Sequence, residues 1–157
     1  MKRYWLMKTE PGDYSIDDLE RDQVTRWNGI RNYQARNILH DDIKVNDEVL
    51  IYHSSTRPTG VAGVARVVKV AYSDPSAWDR KSDYYDPRST PDNPIWFAVD
   101  IAFTAKFRHF VTLDEIKSIP GLNGILVARR GVRLSVQPVG RKHFEIITRL
   151  GDQGERS

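Results

Sequence analysis

The spacing of apolar residues changes period several times along this chain, and each change marks an element. Tyr4-Trp5-Leu6-Met7 is a continuous apolar run that a turn at Glu10-Pro11-Gly12 ends, which predicts an inner strand. Ser15, with Asp18 three residues later and Leu19 as an inward contact, starts a short helix. Trp27-Asn28-Gly29 reads as a flexible corner, and its glycine lets backbone groups approach a ligand closely. A helix follows over residues 32–39; Tyr33, Arg36 and Asn37 lie near one face, and Ala35, Ile38 and Leu39 supply packing.

Val45, Val49 and Ile51 belong to a strand-like region ending at Tyr52-His53-Ser54-Ser55. Beyond the turn at residues 56–60, the run over residues 61–70 is rich in β-favouring side chains and predicts a neighbouring strand in a curved sheet. Residues 96–103 alternate, with Phe97, Val99, Ile101 and Phe103 on the parity expected to face the core. Thr112 and Glu115 form a capping box for a helix ending near Pro120, before a short helix over residues 122–128 and a strand over 134–139. The last predicted helix, residues 142–150, aligns Phe144, Ile147 and Leu150. The fold class expected is α+β, a compact β-barrel with peripheral helices, because closing the strands removes exposed sheet edges. One segment stands apart: residues 74–94 are polar, proline-rich and longer than a usual connection, which marks them as functional.

A length of 157 residues with 39% hydrophobic content suits a single domain over residues 1–157, with 151–157 as a flexible C-terminal tail. The net charge of +3 agrees with an anionic partner, but 24 basic against 21 acidic side chains is too small an excess to establish one, so distribution matters more. Cysteine is absent, which excludes disulfides and thiolate catalysis, and His40, His53, His109 and His143 lack the spacing of a zinc site. No cofactor is implied. With no secretory or membrane-spanning stretch, the protein is expected to be cytoplasmic, or nuclear if its source is eukaryotic, with no membrane partner; its oligomeric state is left open.

Aromatic side chains, amides and cations gather in two segments, residues 4–11 and 27–37, without an evident nucleophile. An indole or phenol stacks on a planar base while Asn, Gln, Lys and Arg read its edge or hold phosphates, so recognition is favoured over reaction. Two other readings compete. A nucleic-acid-processing enzyme is suggested by His53 beside Ser54 and by Asp83 and Asp86, although strand neighbours point to opposite faces. A protein-interaction adaptor, serving a nucleic-acid-processing protein, would use the tyrosines of the long loop as anchors.

Trp5-Leu6-Met7-Lys8-Thr9-Glu10-Pro11, the segment 27–37, Tyr52-His53-Ser54, Tyr84-Tyr85-Asp86-Pro87 and Leu134-Ser135-Val136-Gln137-Pro138-Val139 together resemble the EVE domain family, a branch of the PUA-like superfamily. The resemblance implies a PUA-like barrel with a pocket for a modified nucleobase, such as a modified cytosine, in DNA or RNA. On that reading Trp27, Asn28, Asn32, Ser54, Tyr84 and Tyr85 bind the base, with Lys8, His53 and Gln137 in support. Arg31, Arg129, Arg130 and Arg133 would hold phosphates outside the pocket.

Overall fold

An unbroken apolar strand needs cover on both faces, and the first run of the chain has it. The computed structural model describes residues 2–153. Its strands are β1 (Tyr4–Thr9), β2 (Val24–Trp27), β3 (Glu48–His53), β4 (Gly60–Ser73), β5 (Phe97–Thr112) and β6 (Val136–Val139), hydrogen-bonded in the order β2-β5-β4-β3-β1-β6. β1 runs parallel to β3 and antiparallel to β6. Successive side chains of a strand face opposite sides, so Trp5 and Met7 enter one core with Val49 and Ile51, while Leu6 enters a second with Leu50 and Tyr52.

The helices divide between these cores. α1 (Ile16–Asp22) and α2 (Tyr33–Asn37) cover the first through Ile16, Leu19 and Ala35; α3 (Leu113–Ser118) and α4 (Arg141–Asp152) cover the second through Ile116, Phe144 and Ile147. Three of the four are too short to persist alone, so caps and packing define them. Ser15 Oγ accepts from the Asp18 N–H at 3.1 Å while the Asp18 carboxylate accepts from the Ser15 N–H at 2.9 Å, and Thr112 with Glu115 repeats the arrangement at α3.

The expected barrel is corrected to a six-stranded mixed sheet with peripheral helices. The sheet is open: β2 pairs only with β5, and β6 only with β1. Each of these end strands has four residues, and short edges leave little backbone unpaired. Strong coiling comes instead from β4 and β5, whose pairing shifts register at four places. Gly63 lies in this bent region, where a Cβ would run into the Ala105 carbonyl and the Ile16 side chain.

Several boundaries also differ. β2 replaces irregular chain before the corner, and residues 38–42 continue from α2 as a π-helical segment. The helix expected over residues 122–128 is instead two 3-10 turns, Pro120–Leu122 and Leu126–Ala128, interrupted at Gly124 with φ +88°. In β5, Val99 and Ile101 enter the first core as expected, but Ala98 and Ala102 of the other parity are buried too, because both faces of the sheet are covered. Of the residues assigned to a tail, 151 and 152 are helical and Gly151 is buried; residues 154–157 lie outside the described residues.

Buried polar groups in this sheet are matched closely. Asp47, 2% exposed, accepts hydrogen bonds from the Arg3 N–H at 3.0 Å, the Trp5 indole at 2.9 Å and the Lys44 N–H at 3.0 Å, fixing β1 beside the approach to β3. Substituting Asp47→Ala would strand the Trp5 indole N–H in the core. The expected loss is about 2–3 kcal/mol, within the usual cost of a buried donor left unpaired. Urea denaturation of the variant against the parent measures it, and an unchanged midpoint would remove Asp47 from the stabilising set.

Candidate functional site

The corner after β2 is built around glycine. Gly29 has φ +75°, a left-handed conformation, and a Cβ there would sit 2.6 Å from Tyr84 Cζ. Glycine thus permits both the turn and the seating of the Tyr84 ring against it. The Gly29 N–H donates to Asp74 Oδ2 at 3.0 Å, and Arg31 Nη1 donates to the same oxygen at 3.0 Å. Asp74 is fully buried and its other oxygen accepts from the Ser76 N–H at 2.9 Å and the Ser76 hydroxyl at 2.6 Å. Burial alone would raise its carboxyl, but the hydrogen bonds from Ser76, Gly29 and Arg31 outweigh it and hold the group below the usual carboxylate range. Arg31 reaches onward to the Tyr84 carbonyl at 3.1 and 2.7 Å, so the long loop is tied to the corner at two points.

Beside this corner lies a cavity of about 760 Å³. One wall comes from β2 and the corner (Thr25, Arg26, Trp27, Asn28), with Tyr84 of the loop; another comes from the end of β1 at Lys8 and Thr9 and the turn after it; Arg133 and Ser135, just before β6, complete it. The cavity therefore occupies the seam between β2 with its corner and the segment, residues 133–135, that leads into β6.

Four expected base-binding residues line it: Trp27, Asn28, Ser54 and Tyr84. They present different surfaces. Trp27 is only 7% exposed and meets Tyr14 edge-on at 6.4 Å, so it offers a sliver of ring and not a stacking face. Tyr84, 43% exposed, is the open aromatic surface. Asn28 is half-buried, and its amide has no hydrogen-bond partner among the described residues. Ser54 Oγ donates weakly to the Thr9 carbonyl at 3.4 Å. Lys8 and Arg133 also line the cavity. Burial lowers the Lys8 pKa.

Other expected site residues are occupied elsewhere. Asn32 is the N-cap of α2, its Oδ1 accepting from the Ala35 N–H at 3.0 Å, so that oxygen is taken by the backbone. Arg31, expected to hold phosphates, makes five hydrogen bonds to protein acceptors and is not among the residues that line the cavity. His53 Nε2 accepts from the Ile16 N–H at 3.1 Å and so caps α1 as a neutral ring; burial lowers its pKa, with Lys106 adding to that and Asp17 opposing it. Gln137 is buried and donates to the Leu134 carbonyl at 2.7 Å. Tyr85 is exposed but lies outside the cavity, as do Arg129 and Arg130; Arg129 borders a smaller depression of about 290 Å³.

Sequence reasoning did not single out Glu10, Asp13, Tyr14, Thr25 or Arg26, all of which line the cavity. Thr9 and Glu10 adjoin Lys8 in the first motif and could have been found there; nothing local marks Thr25 and Arg26, because β2 itself was not anticipated. Among the described residues no three His, Cys, Asp or Glu side chains converge as a metal-ligand set.

The EVE domain model matches residues 3–150. Human thymocyte nuclear protein 1 is 36% identical over 173 residues, spanning 98% of this chain and 76% of that protein. A crystal structure of human THYN1 protein in complex with 5-methylcytosine-containing DNA superposes with a TM-score of 0.90 at 35% identity, covering 98% of this chain and all of that one. A hypothetical protein from Leishmania major gives 0.91 at 43% identity, covering 98% and 96%. The rat and mouse relatives share the name thymocyte nuclear protein 1, which corrects the cytoplasmic expectation: for these relatives the name points to the nucleus.

Two substitutions test the supports of this site. Asp74→Asn leaves Arg31, whose side chain is 22% exposed, without its counter-charge and is expected to cost about 1–3 kcal/mol, the range for a partly buried group left unmatched; denaturant unfolding would detect it, and a loss near zero would show the pair to be dispensable. His53 binds protons less readily folded than unfolded, so its contribution is complete above its unfolded pKa of 6.5 and declines as pH falls below that value. The stability advantage of the parent over His53→Gln should therefore shrink between pH 8 and pH 5 in paired urea titrations. An advantage that holds constant would rule out the neutral cap.

Proposed function

The chain belongs to the EVE domain family, and on that footing we propose that it recognises a modified cytosine in DNA, without turning it over, by admitting the base to the seam cavity. The observation that carries this reading is the likeness, over 98% of the chain, to the THYN1 structure described as a complex with 5-methylcytosine-containing DNA. Residues 1–157 are read as a single EVE-like domain.

The cavity suits that task. Tyr84 supplies the stacking surface, Asn28 an amide able to donate to and accept from a base edge, and Trp27 with Ile30 an apolar recess for a methyl group. Arg133, exposed at the rim, attracts the backbone. Stacking supplies about 1–3 kcal/mol per base, comparable with the few kcal/mol needed to extract a paired base, so edge hydrogen bonds and phosphate contacts must contribute as well. Single-stranded or weakened sites should accordingly bind more readily than intact duplex.

Burying one methyl group is worth about 0.8 kcal/mol, or roughly fourfold in affinity. A hydroxymethyl group loses that gain unless its hydroxyl finds a partner. Equilibrium binding to matched DNA and RNA strands carrying cytosine, 5-methylcytosine or 5-hydroxymethylcytosine is therefore expected to favour 5-methylcytosine DNA by roughly fourfold or more. Tyr84→Ala should weaken that binding about tenfold, within the range for one stacked base. Equal affinity for every strand, insensitive to Tyr84→Ala, would assign the binding to phosphates alone.

A further inference from the structure

We infer that the cavity takes the modified cytosine as a whole nucleotide, and that the Lys8 ammonium neutralises the phosphate of that same nucleotide. The inference rests on the base-reading function proposed above and concerns the charge inside the cavity.

Three cationic side chains line the cavity, and they are not equivalent. Arg133 is exposed at the rim, and Arg26 is exposed and donates to the Tyr72 hydroxyl at 3.0 Å. Lys8 alone of the three is half-buried. No carboxylate lies within ion-pair distance of it among the described residues, although Lys2 and Lys106 pair with Glu48 and Asp17. The Tyr52 ring centroid lies 5.9 Å from the Lys8 ammonium, at the outer limit of a cation–π contact. The carboxylates of Glu10 and Asp13 line the same cavity but lie beyond ion-pair distance, so the partly desolvated ammonium lacks a direct counter-ion, a cost that an anionic ligand relieves.

The backbone beneath this side chain is fixed. Lys8 is in register with Tyr52 of β3 on one side, and its N–H donates to the Ser135 carbonyl at 2.9 Å on the other. The Thr9 hydroxyl then donates to the Tyr14 carbonyl at 2.7 Å and holds the following turn. A charge mounted on a rigid strand end is preorganised for its ligand.

Size and chemistry agree. A cavity of about 760 Å³ falls high in the range of ~300–1,000 Å³ typical of small-molecule sites and exceeds what one pyrimidine ring fills, leaving room for sugar and phosphate. Neutral cytosine offers acceptors that a neutral amide such as Asn28 can satisfy, whereas a full positive charge is matched by a phosphate.

The test is competition against a labelled 5-methylcytosine oligonucleotide by 5-methyl-2′-deoxycytidine and by its 5′- and 3′-monophosphates. The parent, Lys8→Met and Lys8→Arg are compared after a thermal melt confirms that each is folded. One monophosphate is expected to compete about tenfold better than the nucleoside in the parent, the size of a modest charge-assisted contact. That advantage should fall below about twofold in Lys8→Met and return in Lys8→Arg. If both monophosphates compete no better than the nucleoside, or the advantage survives in Lys8→Met, the Lys8 assignment is overturned while the base-reading function stands. If the oligonucleotide itself binds no better than its unmodified counterpart, both fall together.

Discussion

The seam cavity depends on one carboxylate. Asp74 is fully buried, yet it binds the corner through Gly29 and Arg31 and the start of the long loop through Ser76. Arg31 extends the same linkage to the Tyr84 carbonyl. Removing water from these charges is unfavourable unless every oxygen and every N–H is matched, and here they are matched closely. The outcome is a cavity wall whose aromatic surface comes from a loop but whose position is set by a buried carboxylate and its half-buried arginine.

The open sheet leaves room for a cavity beside its core. Core covers both faces of the sheet at its centre, along β1 and β3. The concavity lies to the side, between β2 with its corner and the segment leading into β6, and the residues that border it supply an amide, an open phenol ring and cations. The site thus borders an otherwise well-packed sheet.

Much of this was legible in the chain because the determining interactions are local. The capping boxes at Ser15 and Thr112 each need only four consecutive residues, and both are formed. The apolar run of β1 announced burial without needing to identify its neighbours. Long-range choices were not legible. Arg31 looked like a free cation because its partner lies 43 residues away, in a loop whose composition marked it as functional without disclosing what it contacts. β2 carries Val24, Thr25 and Arg26, only partly buried on an edge strand, so no alternation of apolar and polar residues disclosed it. Asn32 shows a different competition: the side-chain oxygen of a residue expected at the ligand accepts from the nearest backbone, as short polar residues ahead of a helix commonly do.

β6 has a consequence for the order in which the protein becomes competent. β1 is made first, but one of its edges stays unpaired until residues 136–139 dock against it from the far end of the chain. The parallel pairing of β1 with β3 needs only residues up to 53, whereas its pairing with β6 waits for residues 136–139. Arg133 and Ser135 come into place with it, so the cavity is complete only once β6 has docked. A nascent chain carrying the corner and long loop would have the aromatic wall but lack the opposite side.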